Sequence, residues 1–489
     1  MTTTATPAPT SGLEPRSFHL RVYGCQMNFY DGELIRASFI RRGWTEADSP
    51  ERAQAVLFHT CSVRENAEER VHGLLGDLRR RKRSDPGVVV GVIGCMADRE
   101  GEELFAREPH VDVVCGSRHF PSLPDFVERV IGGEERVLAL GNSEERVDEV
   151  VRDLGGRAAG HSAHVAVMRG CDLNCTYCVV PRVRGRAESR PAREILDEIR
   201  RLVDDGVTEV QLLGQTIDAW GRDLPPEERD GLAGLMDAVE AIDGLERIRL
   251  ITLHPSYVTP ALTGALARSR KFLRLLPIPM QSGSDQVLRA MKRGYNAEMY
   301  RRRVALLREA MPDLELVSDW IVGFPGETED DFAATERAME EHGFLQSFVF
   351  QYSPRPGTAA FERLPDDVPA ATKKERNHRL LALQHAIARG RTPRMVGSES
   401  AMMLEERRDD QWFGRIHNGH AALLSHREGW RAGLSRLVAL EAWNGRELLA
   451  RELTPEAPIP PARLSATPPV IALALTPAIP AVPASGFAV

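Results

Sequence analysis

The sequence predicts an α/β protein in three parts: an N-terminal doubly wound parallel sheet, a central partial (β/α) barrel and a small C-terminal β-barrel. Three observations carry that expectation. Short apolar runs alternate with helical patterns up to about Gly132, the mark of a parallel sheet wound on both faces. Six further apolar runs then recur with helices between them, as βα units do in a barrel. Beyond about Arg391 short strand-like pieces follow one another between turn residues, which suits a small β-barrel of the nucleic-acid-binding kind.

The elements follow in order. Residues 1–15 read as a disordered tail. In the N-terminal unit, 16–133, strands are expected at Phe18–Tyr23, Ala55–Phe58, Val88–Ile93 and Val111–Val114, with helices at Asp31–Arg42 and Glu65–Arg83. A charged linker, 134–160, leads to the central unit, 161–390. Its strands are His164–Met168, Glu209–Leu213, Arg247–Leu253, Leu273–Ile278, Glu315–Val322 and Ser347–Tyr352, with long helices at Arg193–Asp204 and Ala297–Glu309. The barrel unit, 391–454, shows strands at Ser400–Leu404, Ala421–Ser425 and Leu437–Glu441. Residues 455–489 form a Pro/Ala-rich tail.

A length of 489 residues suits about three domains. The net charge of −7 does not itself suggest nucleic acid, because local basic patches matter more than the total. No apolar run is long enough to span a bilayer. Met1–Gly12 lacks the basic and apolar regions of a secretory signal, so the expected location is cytoplasmic.

The most informative motif is Cys171-Asp172-Leu173-Asn174-Cys175-Thr176-Tyr177-Cys178. Its CxxxCxxC spacing places three thiols on one tight loop, enough to hold three irons of a cubane cluster and leave the fourth open. Zinc sites usually show a second cysteine pair or histidines further on, and none follows here, although spacing alone leaves zinc as an alternative. An odd, low cysteine count argues against a disulfide framework.

Cys25, Cys61 and Cys95 each end an expected strand. Carboxyl ends of parallel strands share one edge, so these distant residues can meet at a crevice and hold a second cluster. Glycines beside Cys25 and Cys95 permit close backbone approach. The other reading is that they are small buried apolar residues. Cys115 also follows an apolar strand, and geometry alone does not separate it from the trio.

With both sets in view, the chain resembles the radical S-adenosylmethionine (SAM) methylthiotransferases from about Ser17 to Leu453. The likeness rests on Tyr23-Gly24-Cys25-Gln26-Met27-Asn28, Thr60-Cys61-Ser62 through Arg70, Gly94-Cys95-Met96-Ala97, Arg169 through Arg190, Leu213-Gly214-Gln215, Gln281-Ser282-Gly283-Ser284, Val322 through Glu327 and Ser353 through Thr358. The segment after Arg391 resembles the family's RNA-binding TRAM module, with Gly414-Arg415 in a family-like position. There are departures. His59 replaces the usual Asn, Thr216-Ile217-Asp218-Ala219-Trp220 replaces an Asn-Val-Asn-Ser-Tyr run, and Leu253–Ser256 and Pro279-Met280 are off pattern.

The resemblance implies two 4Fe–4S clusters, one on Cys171, Cys175 and Cys178 and an auxiliary one on Cys25, Cys61 and Cys95, with SAM used twice per turnover. It implies radical insertion of sulfur and methyl at carbon 2 of N6-(dimethylallyl)adenosine next to the anticodon of tRNA, with the difficult chemistry carried by the cofactors. No catalytic side chain is expected beyond the cluster ligands. Gly214 and Gln215 are expected to face the SAM amino group, and Gln281 and Ser282 to line the pocket. Tyr177 either packs on the SAM adenine or closes its own loop. Gly323 and Gly326 either let backbone pass close to SAM or make a tight turn with Pro325. Arg182, Arg184, Arg186 and Arg190 directly follow the cysteine loop and are the expected RNA contacts. The expected partners are tRNA, an electron donor such as flavodoxin or ferredoxin, and a sulfur source; nothing demands more than a monomer. The rivals are a related methylthiotransferase acting on a ribosomal-protein aspartate or on threonylcarbamoyl-adenosine, and, in a different class, a zinc-stabilised RNA-binding protein.

Overall fold

The computed structural model describes residues 16–61, 65–141 and 160–453, with no side chains for 65–69. Both expected tails, most of the expected linker and Ser62–Arg64 of the family-like stretch lie outside the described residues.

The N-terminal sheet contains β1 (Ser17–Val22), β2 (Thr45–Glu46), β3 (Ala55–Thr60), β4 (Val89–Gly94), β5 (Val113–Cys115) and β6 (Val137–Ala139), in the order β2-β1-β3-β4-β5-β6. Every pairing is parallel. β3 and β4 are buried along their whole length, because helices cover both faces and leave no solvent side. Alternate side chains feed the two faces. Leu57, Val89 and Ile93 pack with the helix Gln26–Arg41, while Val56, Phe58, Val90 and Val92 pack with Val71 and Leu75 of the helix Glu65–Ser84. The two-residue strand β2 and the three-residue strand β6 carry no sequence pattern of their own.

The central unit has six parallel strands in chain order, in two sheets of three. β7 (Ser162–Ala166), β10 (Glu209–Leu213) and β11 (Arg247–Leu250) form one; β12 (Leu275–Pro277), β13 (Glu315–Val322) and β14 (Gln346–Gln351) form the other. A bridge between Ile248 and Phe272 joins them, and one apolar core runs through both. The result is the expected partial barrel. The first strand ends at Ala166, two residues short of the expected Met168. Met168 instead joins β8 (Met168–Arg169), which pairs antiparallel with β9 (Glu188–Ser189) and ties off the segment carrying the three clustered cysteines.

The last unit is a closed barrel of β15 (Glu399–Arg408), β16 (Gln411–Ile416), β17 (Ala421–Ser425), β18 (Ser435–Trp443) and β19 (Leu448–Glu452), in the order β15-β16-β17-β19-β18. It packs under the amino ends of the central strands. Arg247 of β11 binds Glu405 of β15 at 2.5 Å, and Glu315 of β13 takes Arg391 at 2.8 Å and His420 at 3.3 Å. The barrel therefore stands at the opposite end of the central strands from their carboxyl-terminal loops.

Candidate functional site

Cys171, Cys175 and Cys178 lie on the tied-off loop above the barrel. Gly170 turns the chain into it with φ +69°, and a Cβ there would fall 2.0 Å from the carbonyl oxygen of Arg186. Thr176 pins the loop's middle: its N–H donates to Met291 O (3.0 Å), its hydroxyl to Ala290 O (2.9 Å), and its carbonyl accepts from Ala360 N–H (2.8 Å). Cys171 Sγ lies 3.2 Å from the Thr216 hydroxyl, and Arg293 Nη1 donates to Cys175 Sγ at 3.1 Å. Burial raises the Cys171 thiol and pushes Cys178 up to about 12. These are soft sulfur ligands in a shielded place, and they fit an iron–sulfur group whose binding would release their protons.

The expected SAM-facing residues gather around this loop. Gly214 and Gln215 follow β10, and Gln215 Oε1 is buried without a hydrogen-bond partner, as an acceptor awaiting a ligand would be. Gln281 holds φ +71°, a strained value costing about 1–3 kcal/mol, locked by Asp319 O and Ile321 N–H. Ser282 is fully buried and its hydroxyl is engaged with Thr335 and Ser284, so it shapes the turn rather than facing the pocket. Gly323 donates its N–H to Glu327 at 2.6 Å, in the tight turn with Pro325. Tyr177 meets Phe324 edge-on at 6.4 Å in an apolar cluster with Met291 and Tyr352, the loop-closing arrangement.

Four neighbours were missed by sequence reasoning. The N–H of His254, after β11, donates to Asp218 Oδ2 at 2.8 Å. His254 Nδ1 accepts from Ser256 N–H, so the neutral ring carries its proton on Nε2, which has no partner. Asp218 Oδ1 is likewise orphaned. Burial pushes the Asp218 carboxyl up to about 8 and holds His254 down to about 3. Tyr295 packs on His254 at 5.3 Å and accepts from Arg293 Nε at 3.1 Å. The only signal for Asp218 and His254 was their departure from the family pattern; Arg293 and Tyr295 gave none.

The second trio meets where the strand order predicts. In an open sheet with order β2-β1-β3, ligands bind outside the carboxyl ends of β1 and β3, where the winding reverses. Cys25 follows β1, Cys61 follows β3, and Cys95 opens a short helix after β4. Gly24, at φ +115°, makes the approach possible: a Cβ there would lie 2.3 Å from Cys61 Cβ. Cys25 hydrogen-bonds Cys61, and that bond first, then Arg184, brings Cys25 down to about 6 against the opposing effect of burial. Cys95 packs against Val179 and Val183, just beyond Cys178 in the chain. Cys115 stands apart in the packed core with Ile93 and Phe120, its thiol raised well above its ordinary value by burial. His59, fully buried beside this crevice, has no hydrogen-bond partner on either ring nitrogen, lies 3.9 Å from Asp31 through Nε2, and is held down to about 4 by burial.

Two of the four expected RNA-contacting arginines are turned inward. Arg184 is 5% exposed and binds Asn28 and Asp31; Arg190 is 8% exposed and binds Glu198 (2.8 Å) and Ala166 O (2.7 Å). Their positive charges balance buried carboxylates and have no free face for phosphate. Arg182 and Arg186 are exposed.

A partial barrel with a three-cysteine loop at its carboxyl end defines a radical SAM enzyme. Residues 165–339 match the model of the Radical SAM superfamily, and residues 17–116 match that described as uncharacterized protein family UPF0004. A solved radical SAM methyltransferase from Kitasatospora setae, TsrM, with tryptophan and a SAM analogue bound, shares the fold at a TM-score of 0.53 and 15% identity, covering 71% of this chain and 75% of that one. The chain is 40% identical to the tRNA-2-methylthio-N(6)-dimethylallyladenosine synthase of Thermobifida fusca, over 88% of this chain and 87% of that protein. It is 38% identical to the same-named protein of Aquifex aeolicus, over 82% and 90%. The chain therefore belongs to the family of tRNA-2-methylthio-N(6)-dimethylallyladenosine synthases.

Proposed function

We propose that this chain inserts sulfur and methyl at carbon 2 of N6-(dimethylallyl)adenosine beside the anticodon of tRNA, using two 4Fe–4S clusters and two SAM molecules per turnover. The observation that carries this reading is the meeting of two three-thiol sites across one five-residue helix, Val180–Arg184, which follows Cys178 and packs on Cys95. When bound, the groups held by the two trios, together with SAM, supply the hydrogen-abstracting radical, the sulfur and the methyl.

The chain's own residues do the rest. Gln215, Arg293 and the His254–Asp218 pair present polar atoms beside Cys171 and Cys175 for the polar groups of SAM and substrate. The buried walls exclude water, which strengthens each of those contacts. Arg182 and Arg186 remain the phosphate contacts nearest the loop; Arg184 and Arg190 leave that list. Phe348 and Phe350, 43% and 38% exposed on β14, offer rings on which an unstacked base rests. The domains act as an auxiliary-cluster unit (16–133), a radical SAM unit (161–390) and a TRAM-like RNA-binding unit (391–454). The protein works in the cytoplasm as a monomer, served by a flavodoxin- or ferredoxin-type reductant and a sulfur source.

The test is mass spectrometry of tRNA from a strain lacking the protein. Loss of the methylthio group with the dimethylallyl group retained is expected; unaltered tRNA overturns the reading. Protein prepared without oxygen should carry about eight irons per chain.

A further inference from the structure

Arg184 follows the cysteine loop in sequence, yet its side chain enters the N-terminal domain. Its Nη2 donates to Asn28 Oδ1 at 2.7 Å and to Asp31 Oδ2 at 3.2 Å, and its Nη1 also donates to Asp31 Oδ2. Asn28 Oδ1 also lies 3.6 Å from Cys25 Sγ. Arg184 hydrogen-bonds Cys95 as well, and Cys25 and Cys61 lie within its electrostatic reach. A buried cation needs full compensation. Asp31, fully buried, is shared with Arg169, whose Nη1 donates to it at 2.6 Å. One carboxylate thus faces two guanidiniums, and Asp98 and the three sulfurs also lie within the electrostatic reach of Arg184. The backbone holds Arg184 there: the Ser117 hydroxyl donates to Val183 O at 2.6 Å, and Arg118 Nε donates to Arg184 O at 3.3 Å.

We propose that Arg184 is the counter-charge of the Cys25–Cys61–Cys95 trio, a positioning residue that fixes the sulfurs and raises the reduction potential of the iron–sulfur group they carry. This rests on the reading that the trio carries such a group. Reduction adds a negative charge to the site. A fixed cation in a low-dielectric crevice stabilises that added charge more than the oxidised state.

The experiment uses the full chain with Cys171, Cys175 and Cys178 replaced by Ala, so that only the N-terminal trio loads. Iron, sulfide and the midpoint potential are measured for this parent and for Arg184→Met, Arg184→Lys and Asp31→Asn. In Arg184→Met the reduced-to-oxidised ratio at fixed potential should fall at least about tenfold, which for one electron is about 59 mV. Arg184→Lys keeps the charge and should stay near the parent, which separates charge from any loss of folding. Asp31→Asn should shift the ratio the opposite way. Normal iron with an unchanged ratio in Arg184→Met, or an equal fall in Arg184→Lys, overturns the role of Arg184 and leaves the cluster reading standing. A parent that binds no iron overturns both.

Discussion

The two thiol trios of this protein are assembled in opposite ways. Cys171, Cys175 and Cys178 are neighbours in the chain, on a loop clamped by a two-residue strand pair and by Thr176. Cys25, Cys61 and Cys95 come from three strand ends and meet only because the strands are parallel and in register. Their charge environments differ as well. Burial raises Cys171 and Cys178 at the central trio and Cys95 at the N-terminal one, but there Cys25 is brought down beside Cys61 and Arg184. The contrast teaches that a local site depends on its loop, while a site of distant residues depends on the whole domain behind it.

The largest effects come from removing either trio. Replacing Cys171, Cys175 and Cys178 by Ala should abolish both SAM cleavage and tRNA modification and leave about half the iron. Replacing Cys25, Cys61 and Cys95 should abolish modification while deoxyadenosine is still formed. Product analysis with iron counts checks both, and loss of SAM cleavage in the second variant would break the proposed division of labour.

Next comes a core cavity. Leu57 is fully buried in β3, between the strands that carry Cys25 and Cys95. Leu57→Ala should cost about 2–5 kcal/mol and reduce iron retained at the N-terminal trio before that at the central one. Equal loss at both sites, followed by iron analysis during a denaturant series, would contradict the contrast.

A smaller effect concerns pH. Asp218 has an ordinary value of 3.8 and sits at about 8 in the folded protein, because burial disfavours its charge. Folding therefore favours the protonated carboxyl. That stability is complete below 3.8 and is lost as pH rises through about 8. His254 acts at the other end: its ordinary value of 6.5 falls to about 3, so its stabilisation is full above 6.5 and is lost as pH drops toward 3. Asp218→Asn keeps the shape and removes the first titration. Urea midpoints of the metal-free protein across pH should show the variant gaining on the parent most on the alkaline side.

The smallest effect is at the surface. Arg186, 90% exposed, pairs with a half-exposed Asp172 at 3.3 Å, a contact of little value in water. Arg186→Ala should leave both iron contents intact, weaken tRNA binding modestly and reduce its salt slope by about one. Binding isotherms over a salt series measure this, and an unchanged slope removes Arg186 from the interface.

Much of this protein was determined by local sequence. The apolar runs of β3, β4, β10 and β13 marked buried parallel strands, because strands covered by helices are built mostly from apolar residues. The spacing of Cys171, Cys175 and Cys178 marked a candidate metal-binding loop, because three thiols that close need no tertiary contact to be neighbours. Tertiary structure alone decided the rest. It placed Cys115 in the packed core, a separation from the other three that the family resemblance implied but strand-end geometry left open, since burial is not visible in a strand-end pattern. It drew Arg184 inward to Asp31, 153 residues away, and Arg190 inward to Glu198, a pairing that spacing along the chain does not reveal because it depends on how the following helix packs. It brought Asp218, His254 and Arg293 together, because loops far apart in the chain converge only when a barrel curves, and curvature is set by packing.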